Sequence, residues 1–66
     1  MKIIYDKEAE ALYIRLTDKE IEYTEELTPN IIVDYSKDGK PVGIEVLNIK
    51  RELSPSSIKE LTSIIP

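Results

Sequence analysis

The segment Asp34–Leu47, with the sequence DYSKDGKPVGIEVL, constrains the fold more than any other part of the chain. Apolar residues alternate on both sides of its Asp-Gly pair: Ile31, Val33 and Tyr35 before it, and Val42, Ile44 and Val46 after it. Alternation with period two is typical of strands with one buried face, and Asp-Gly is a frequent two-residue hairpin turn. The segment therefore predicts an antiparallel β-hairpin.

The hairpin has an expected register. The two apolar sets share a face only if paired residues have numbers that sum to an odd value, because side chains alternate along a strand. A two-residue turn at Asp38-Gly39 meets this condition and so does a four-residue loop, whereas a three-residue bulged loop would need a second bulge to restore it. We therefore predict a type I′ turn, which pairs Tyr35 with Val42 and Val33 with Ile44.

Three further runs have strand character, in addition to the two strands of the hairpin. They are short, apolar or alternating, and several end at turn residues such as Thr28-Pro29-Asn30. Together with the two hairpin strands, the predicted runs are Lys2–Tyr5, Ala11–Leu16, Glu20–Leu27, Asn30–Tyr35 and Pro41–Ile49. We also predict a helical turn at Lys7–Glu10 in the first hairpin connection.

A helix is predicted at the carboxy-terminal end. Ser54 suits the N-cap, Pro55 suits the first helical position, and Leu53 with Ile58 matches a hydrophobic staple. Ile58, Leu61 and Ile65 then recur at helical spacing. The prediction is one domain over residues 1–66 of the α+β class: a small antiparallel β-meander of about five strands within 2–49, and one C-terminal helix at about 55–65.

Size and charge limit the classes of function. A core in a chain of 66 residues rarely supplies more than about 3–5 kcal/mol, and neither cysteine nor histidine is present to add a disulfide or a soft metal site. We therefore expect a homodimer or a protein partner. The net charge of −4 disfavours binding to nucleic acid. No apolar run suits a signal peptide or a membrane span, so we expect a cytoplasmic protein.

The hairpin segment also nearly matches a calcium-binding loop. Oxygen-bearing side chains stand at the required spacing, with a glycine at the sixth place and a carboxylate at the twelfth: Asp34, Ser36, Asp38, Gly39 and Glu45. The strand-like flanks argue against this interpretation, because the motif needs a helix on each side. Calcium binding through these residues is kept as the alternative to a structural turn.

Catalytic constellations are weak in this chain. The chain has no histidine and no cysteine, so the usual activated nucleophiles and bases are missing. Ser56 and Lys59 have the spacing of an S-x-x-K motif, and Asp6, Glu8 and Glu10 cluster before the second strand. We interpret the first pair as part of a capped helix and the acids as solvated charge. No catalytic or cofactor-binding residue is therefore assigned, and we expect a non-enzymatic protein.

The acidic segment Asp18–Glu26 is the strongest candidate for a binding surface. It carries five acids against the single cation Lys19, a net charge of 1 − 5 = −4. One interpretation is that its charges prevent edge-to-edge pairing of sheets. The other is a surface complementary to a basic protein, since opposite fields accelerate and select encounters. The candidate partner-binding residues are Glu20, Glu22, Glu25 and Glu26.

The chain resembles a small family known as domain of unknown function 2283. The resemblance covers roughly residues 3–50 and rests on Tyr5-Asp6, Ala11–Ile14, Asp34, Asp38-Gly39 and above all Val42–Leu47. Glu10 stands where the family pattern more often has Asp. The family has no established activity, and its members are small prokaryotic proteins.

What the resemblance implies is a protein-binding role, because some members look like antitoxins encoded beside small RNase-type toxins. It supplies no catalytic residues. We expect an interaction module, with an antitoxin-like inhibitor of a basic toxin as its most specific form. Calcium binding by residues 34–45 and a self-assembling structural protein are the alternatives.

Overall fold

The computed structural model describes residues 1–64, except for the side chains at positions 58, 61, 62 and 64. It shows five antiparallel strands in one sheet, followed by helices near the carboxy-terminal end. The α+β class is confirmed. The elements are β1 (Lys2–Asp6), β2 (Ala11–Arg15), β3 (Tyr23–Thr28), β4 (Ile31–Tyr35), β5 (Pro41–Val46), α1 (Ile49–Glu52) and α2 (Pro55–Ile64).

The order of strands in the sheet is β1-β2-β5-β4-β3. β1–β2, β3–β4 and β4–β5 are hairpins, and β5 pairs with β2 as well as with β4. Residues 16–22 therefore cross from β2 to the far edge, where β3 pairs with β4. This order places the segment Val42–Val46 at the centre of the sheet and leaves β1 and β3 as the edges.

The turn between β4 and β5 differs from the predicted type I′ turn. Ser36 N–H donates to the Lys40 carbonyl at 2.9 Å, and Gly39 N–H donates to the Ser36 carbonyl at 2.9 Å. Gly39 has a positive φ of 78°, but Asp38 does not, and type I′ needs positive φ at both. The loop therefore has three residues, 37–39, and the two-residue prediction is wrong.

A second bulge restores the alternation across this hairpin. Val33 pairs with Ile44 as predicted, but Tyr35 pairs with Pro41 rather than with Val42. Val42 is the extra residue; it is fully buried, and its carbonyl accepts the Leu16 N–H at 2.7 Å. A bulge at this place keeps Ile31, Val33 and Tyr35 on one face with Ile44 and Val46 despite the odd-length loop.

The sheet has one apolar face and, on its other side, a mixed face that carries residues such as Ile4, Tyr13 and Asp34. On the apolar face, Leu12 and Val46 pair beside Ile31, and Ile14 and Ile44 pair beside Val33. We call the set on this side the apolar face: Ile3, Tyr5, Leu12, Ile14, Leu16, Tyr23, Ile31, Val33, Tyr35, Ile44 and Val46. Among the described side chains the buried hydrophobic ones are Leu12, Val33, Val42 and Ile49.

The last strand is shorter than predicted. β5 ends at Val46, and Asn48 adopts the left-handed conformation with φ 50°. This residue turns the chain into α1, where Ile49 is 1% exposed and its N–H donates to the Glu10 carbonyl at 2.9 Å. The prediction of a strand through Ile49 is therefore wrong, because a buried apolar residue at a helix start resembles one at a strand end.

The start of α2 agrees with the sequence. Ser54 Oγ accepts the Ser57 N–H at 3.2 Å, which is the expected N-cap bond, and Pro55 is the first helical residue. The expected staple and stripe depend on residues 58, 61 and 65, which lie outside the described side chains. Within residues 1–64, no helix has the length and apolar character needed to cross a membrane.

Candidate functional site

β3 is an edge strand with an entirely exposed surface. It pairs with β4 along one side only, and each of its six residues is exposed. The strand begins at Tyr23, three residues later than the sequence predicts. An edge strand presents unpaired backbone N–H and C=O groups to its surroundings, so another extended chain can pair with it.

All four glutamates predicted to bind a partner are exposed and lie on or just before this strand. Glu25 lies opposite Val33 and Glu26 opposite Ile32, so these two carboxylates point to different faces of the sheet. Glu20 and Glu22 lie in the preceding segment, which is tied to β4 where the Glu22 N–H donates to the Tyr35 carbonyl at 2.7 Å. The four acids therefore surround one edge rather than one point.

The charge of this edge is not neutralised within the described chain. Lys19 is the only cation of the acidic segment, and its Nζ lies 3.1 Å from Asp38 Oδ2 at the hairpin tip. Among residues 1–64, no salt bridge reaches any of the four glutamates. We define this surface, β3 with Glu20 and Glu22, as the acidic edge.

Hydrogen bonds to main-chain groups, two of them from the Arg15 side chain, hold the loop that leads to the acidic edge. The Arg15 guanidinium donates through Nε to the Thr17 carbonyl and through Nη2 to the Lys19 carbonyl, both at 2.8 Å. Lys19 N–H donates to Thr17 Oγ1 at 3.2 Å. Farther along, the Tyr23 ring stacks on the Tyr35 ring at 5.0 Å between centroids. These contacts position the edge although its side chains are solvated.

A polar network crosses the mixed face of the sheet. Asp34 on β4 accepts two hydroxyl groups: Tyr13 from β2 donates to Oδ2 at 3.0 Å, and Thr24 from β3 donates to Oδ1 at 2.7 Å. The network therefore links β2, β4 and β3, and it passes over β5. It connects the acidic edge to the centre of the sheet.

Gly43 makes this crossing possible. The Tyr13 phenol lies directly over Gly43, so a Cβ atom at that position would be 2.7 Å from Tyr13 Cζ. Carbon atoms make favourable contact at about 3.5–4.0 Å, so a larger residue would displace the ring. The glycine is needed for close approach, a role that a glycine inside a strand often has.

The residues of the calcium alternative are divided between strands and turn. Asp34 lies on β4 and is occupied by Tyr13 and Thr24, while Glu45 lies on β5 opposite Ile32. Ser36 Oγ donates to Asp38 within the turn. In residues 1–64 there is no group of three or more acidic, histidine or cysteine side chains placed to hold a metal. The segment is a hairpin and does not curl around an ion.

Asp38 has a perturbed ionisation. The Ser36 hydroxyl donates to its carboxylate and the Lys19 ammonium lies beside it, and together they lower the pKa of Asp38 from 3.8 to about 2. Both interactions favour the charged carboxylate. An open depression of about 360 Å³ adjoins this group and is lined by Lys19, Glu20, Ser36, Lys37 and Asp38.

The weaker catalytic candidates have local contacts. Asp6 Oδ1 accepts the N–H groups of Glu8 and Ala9 at 3.1 and 3.0 Å, which stabilises the β1–β2 turn. Glu10 Oε1 pairs with Lys50 Nζ at 3.1 Å. Ser56 Oγ lies 3.1 Å from the capping Ser54 Oγ. Asp6 therefore stabilises a turn, Glu10 forms an ion pair, and Ser56 lies at a helix start.

Sequence reasoning missed the residues that build the site. No pattern in the sequence assigns a role to Tyr13, Arg15 or Thr24, whose side chains make these contacts. Asn30 was also missed; its side chain accepts from Asn48 at 2.7 Å and donates to Glu52 at 2.9 Å. A glycine between two apolar strand residues, Gly43 between Val42 and Ile44, was the available signal for a close contact on β5.

The fold and site describe a small single-sheet α+β protein with a solvated edge and a polar network over its central strand. A family model described as protein of unknown function (DUF2283) matches residues 2–50, most of the chain, and the protein belongs to this family. No curated protein and no solved structure gives a significant match. The residues of the family resemblance include Tyr13, Asp34 and Gly43, the core of the polar network.

Proposed function

We propose that this protein is a non-enzymatic protein-interaction module of the cytoplasm that binds a basic protein at its acidic edge. The observation that carries the proposal is β3, an exposed edge strand whose glutamates have no cationic partner in the described chain. A strand with free backbone groups offers hydrogen bonds, and its carboxylates offer charge selection. Both features favour an extended segment rich in Lys or Arg.

The charges also oppose pairing between two copies of β3. In an antiparallel pair centred on the strand, Glu25 of one copy would lie beside Glu26 of the other. Like charges in directly opposed positions destabilise a sheet. The same carboxylates stabilise a pair with a basic strand, so the acidic edge discriminates between self-pairing and a basic partner.

The specific form that we propose is an antitoxin-like inhibitor of a basic RNase-type toxin. An enzyme that binds RNA needs cationic surface to contact phosphates. A protein that covers this surface with carboxylates prevents substrate binding without any chemistry of its own. Inhibition by occlusion agrees with a small chain whose candidate catalytic residues are engaged in turns and caps.

Co-expression with the product of the adjacent gene tests the proposal. The tagged wild-type chain is expected to co-purify with a small basic protein and to release it as salt rises, because screening weakens exposed charge pairs. The charge-reversed variant Glu25→Lys/Glu26→Lys is expected to lose the partner.

The matched control is Glu8→Lys/Glu60→Lys, which makes the same change in net charge at exposed positions away from β3. Retention of the partner by the control and loss by the β3 variant support the acidic edge. Absence of any small basic partner from the wild-type sample contradicts the proposed function, and equal binding by both variants contradicts the assigned surface.

A further inference from the structure

The apolar face is only partly covered within one chain. Leu12 and Val33 are buried, but Ile14 and Ile44, at the centre of the same face, remain half-buried. Along β2 the exposure increases from Leu12 to Leu16, which is 37% exposed, and Tyr23 at the same end of the sheet is 43% exposed. The chain therefore presents exposed apolar side chains at the end of the sheet away from α1.

The size of the molecule agrees with an incomplete core. Its accessible surface is 4862 Å², whereas a compact monomer of this mass exposes about 4,300 Å². Its radius of gyration is 12.2 Å, compared with about 11 Å for a compact domain of this length. The chain therefore exposes roughly 600 Å² more than a compact monomer of its mass, and a stable interface that buries about 800 Å² of each partner would cover more than this excess.

The chemistry of this face selects its occupant. Apart from Glu25 and Thr28 on the edge strand, the face consists of aliphatic and tyrosine side chains. It therefore offers a basic partner little to recognise, in contrast to the acidic edge. A second copy of the same face is complementary without any charge, since a two-fold interface joins identical patches.

We propose that two copies of this chain stack their apolar faces to form a two-fold dimer, a β-sandwich with the sheets about 10 Å apart. The stacking buries Ile14 and Ile44 at its centre and places Glu25 at the rim. The edges of both sheets stay accessible, so the dimer is compatible with a partner at the acidic edge, although Tyr23 and Glu25 of β3 belong to both surfaces.

The test is the solution mass of the wild-type chain and three variants, measured by sedimentation over a range of concentrations. The wild type is expected at twice the 7.6 kDa chain mass, with an unfolding midpoint that rises with concentration because association stabilises the folded state. Leu16→Lys and Tyr23→Lys each place two charges in the interface and are expected to raise the dissociation constant at least about 100-fold.

Ile4→Lys is the matched control, because Ile4 is 47% exposed but lies on the mixed face, opposite Tyr13. It is expected to leave the dimer intact, and circular dichroism confirms that each variant is folded. A wild type that is monomeric at millimolar concentration overturns the proposal. A dimer that survives both Leu16→Lys and Tyr23→Lys, or that Ile4→Lys dissociates, overturns the assigned face.

Discussion

Single residues determine how the central strand can be crossed. Tyr13 reaches Asp34 only because Gly43, on the strand between them, has no side chain. The resulting network holds the Asp34 carboxylate between two hydroxyl donors, Tyr13 and Thr24. A glycine and a tyrosine on different strands therefore act as one structural unit.

Substituting Gly43 tests this unit. We expect Gly43→Ala to lower the free energy of unfolding by about 1–3 kcal/mol, because the added methyl group displaces the Tyr13 ring. In a Tyr13→Ala background the same substitution is expected to cost less, since the clash is gone. Urea unfolding followed by circular dichroism measures both. An equal cost in the two backgrounds would contradict the contact.

A second residue-scale prediction concerns acid stability. The folded-state pKa of Asp38 is lowered to about 2 from 3.8, so its bonds to Ser36 and Lys19 stabilise the fold at pH above 3.8. This contribution is lost as pH falls from about 4 toward 2, because the carboxylate becomes protonated. The unfolding midpoint of Asp38→Asn is expected to change less than that of the wild type across this range. If the unfolding midpoints of the two proteins change in parallel with pH, the ionisation of Asp38 is not linked to stability.

Residue roles were predictable only where they depend on local sequence. The Ser54 cap follows from neighbouring residues and is confirmed; the glutamates of β3 are exposed, and their role in binding a partner stays a prediction. The bond from Tyr13 to Asp34 joins residues 21 positions apart and depends on β5 lying between their strands. No periodicity within one segment contains that information.

At the scale of elements, turns and caps explain where the predicted boundaries failed. The strand character of residues 41–49 continues past Val46, but the left-handed Asn48 ends it and starts α1. Asn48 also donates to Asn30 Oδ1 at 2.7 Å, which ties α1 to the β3–β4 turn. The helix is therefore held by contacts distant in sequence.

Asn48 provides the element-scale prediction. We expect Asn48→Ala to lower the free energy of unfolding by about 1–3 kcal/mol, because alanine is disfavoured in the left-handed region and cannot donate to Asn30. Asn48→Gly keeps the backbone conformation and loses only the side-chain bond, so its expected cost is about 1 kcal/mol or less. Thermal unfolding of both variants separates the cost of the backbone conformation from the cost of the lost side-chain hydrogen bond. A larger cost for glycine than for alanine would contradict the backbone role.

The predicted hairpin illustrates how far alternation can define an element. The alternation of apolar residues correctly predicted the two strands and the pairing of Val33 with Ile44. It failed at the turn, because a three-residue loop with a bulge at Val42 satisfies the same parity as a two-residue loop. Only the main-chain hydrogen bonds distinguish these solutions.

At the scale of the whole molecule, strand order determines which surfaces are available. Since β5 lies between β2 and β4, the acidic strand β3 is an edge and does not pair with β2. The sequence indicated the charges of this segment but not its place at the edge, which depends on pairings between distant strands. Edge position and charge together make β3 the surface we propose for a basic partner.

Hydrogen exchange of the complex tests this account most directly. The chain is co-purified with the product of its adjacent gene, and backbone amide exchange is compared with that of the free chain. We predict slower exchange across Tyr23–Thr28 of β3, with no change in Lys2–Asp6 of the opposite edge strand β1. Protection of β1 with unchanged exchange in β3 would contradict recognition at the acidic edge.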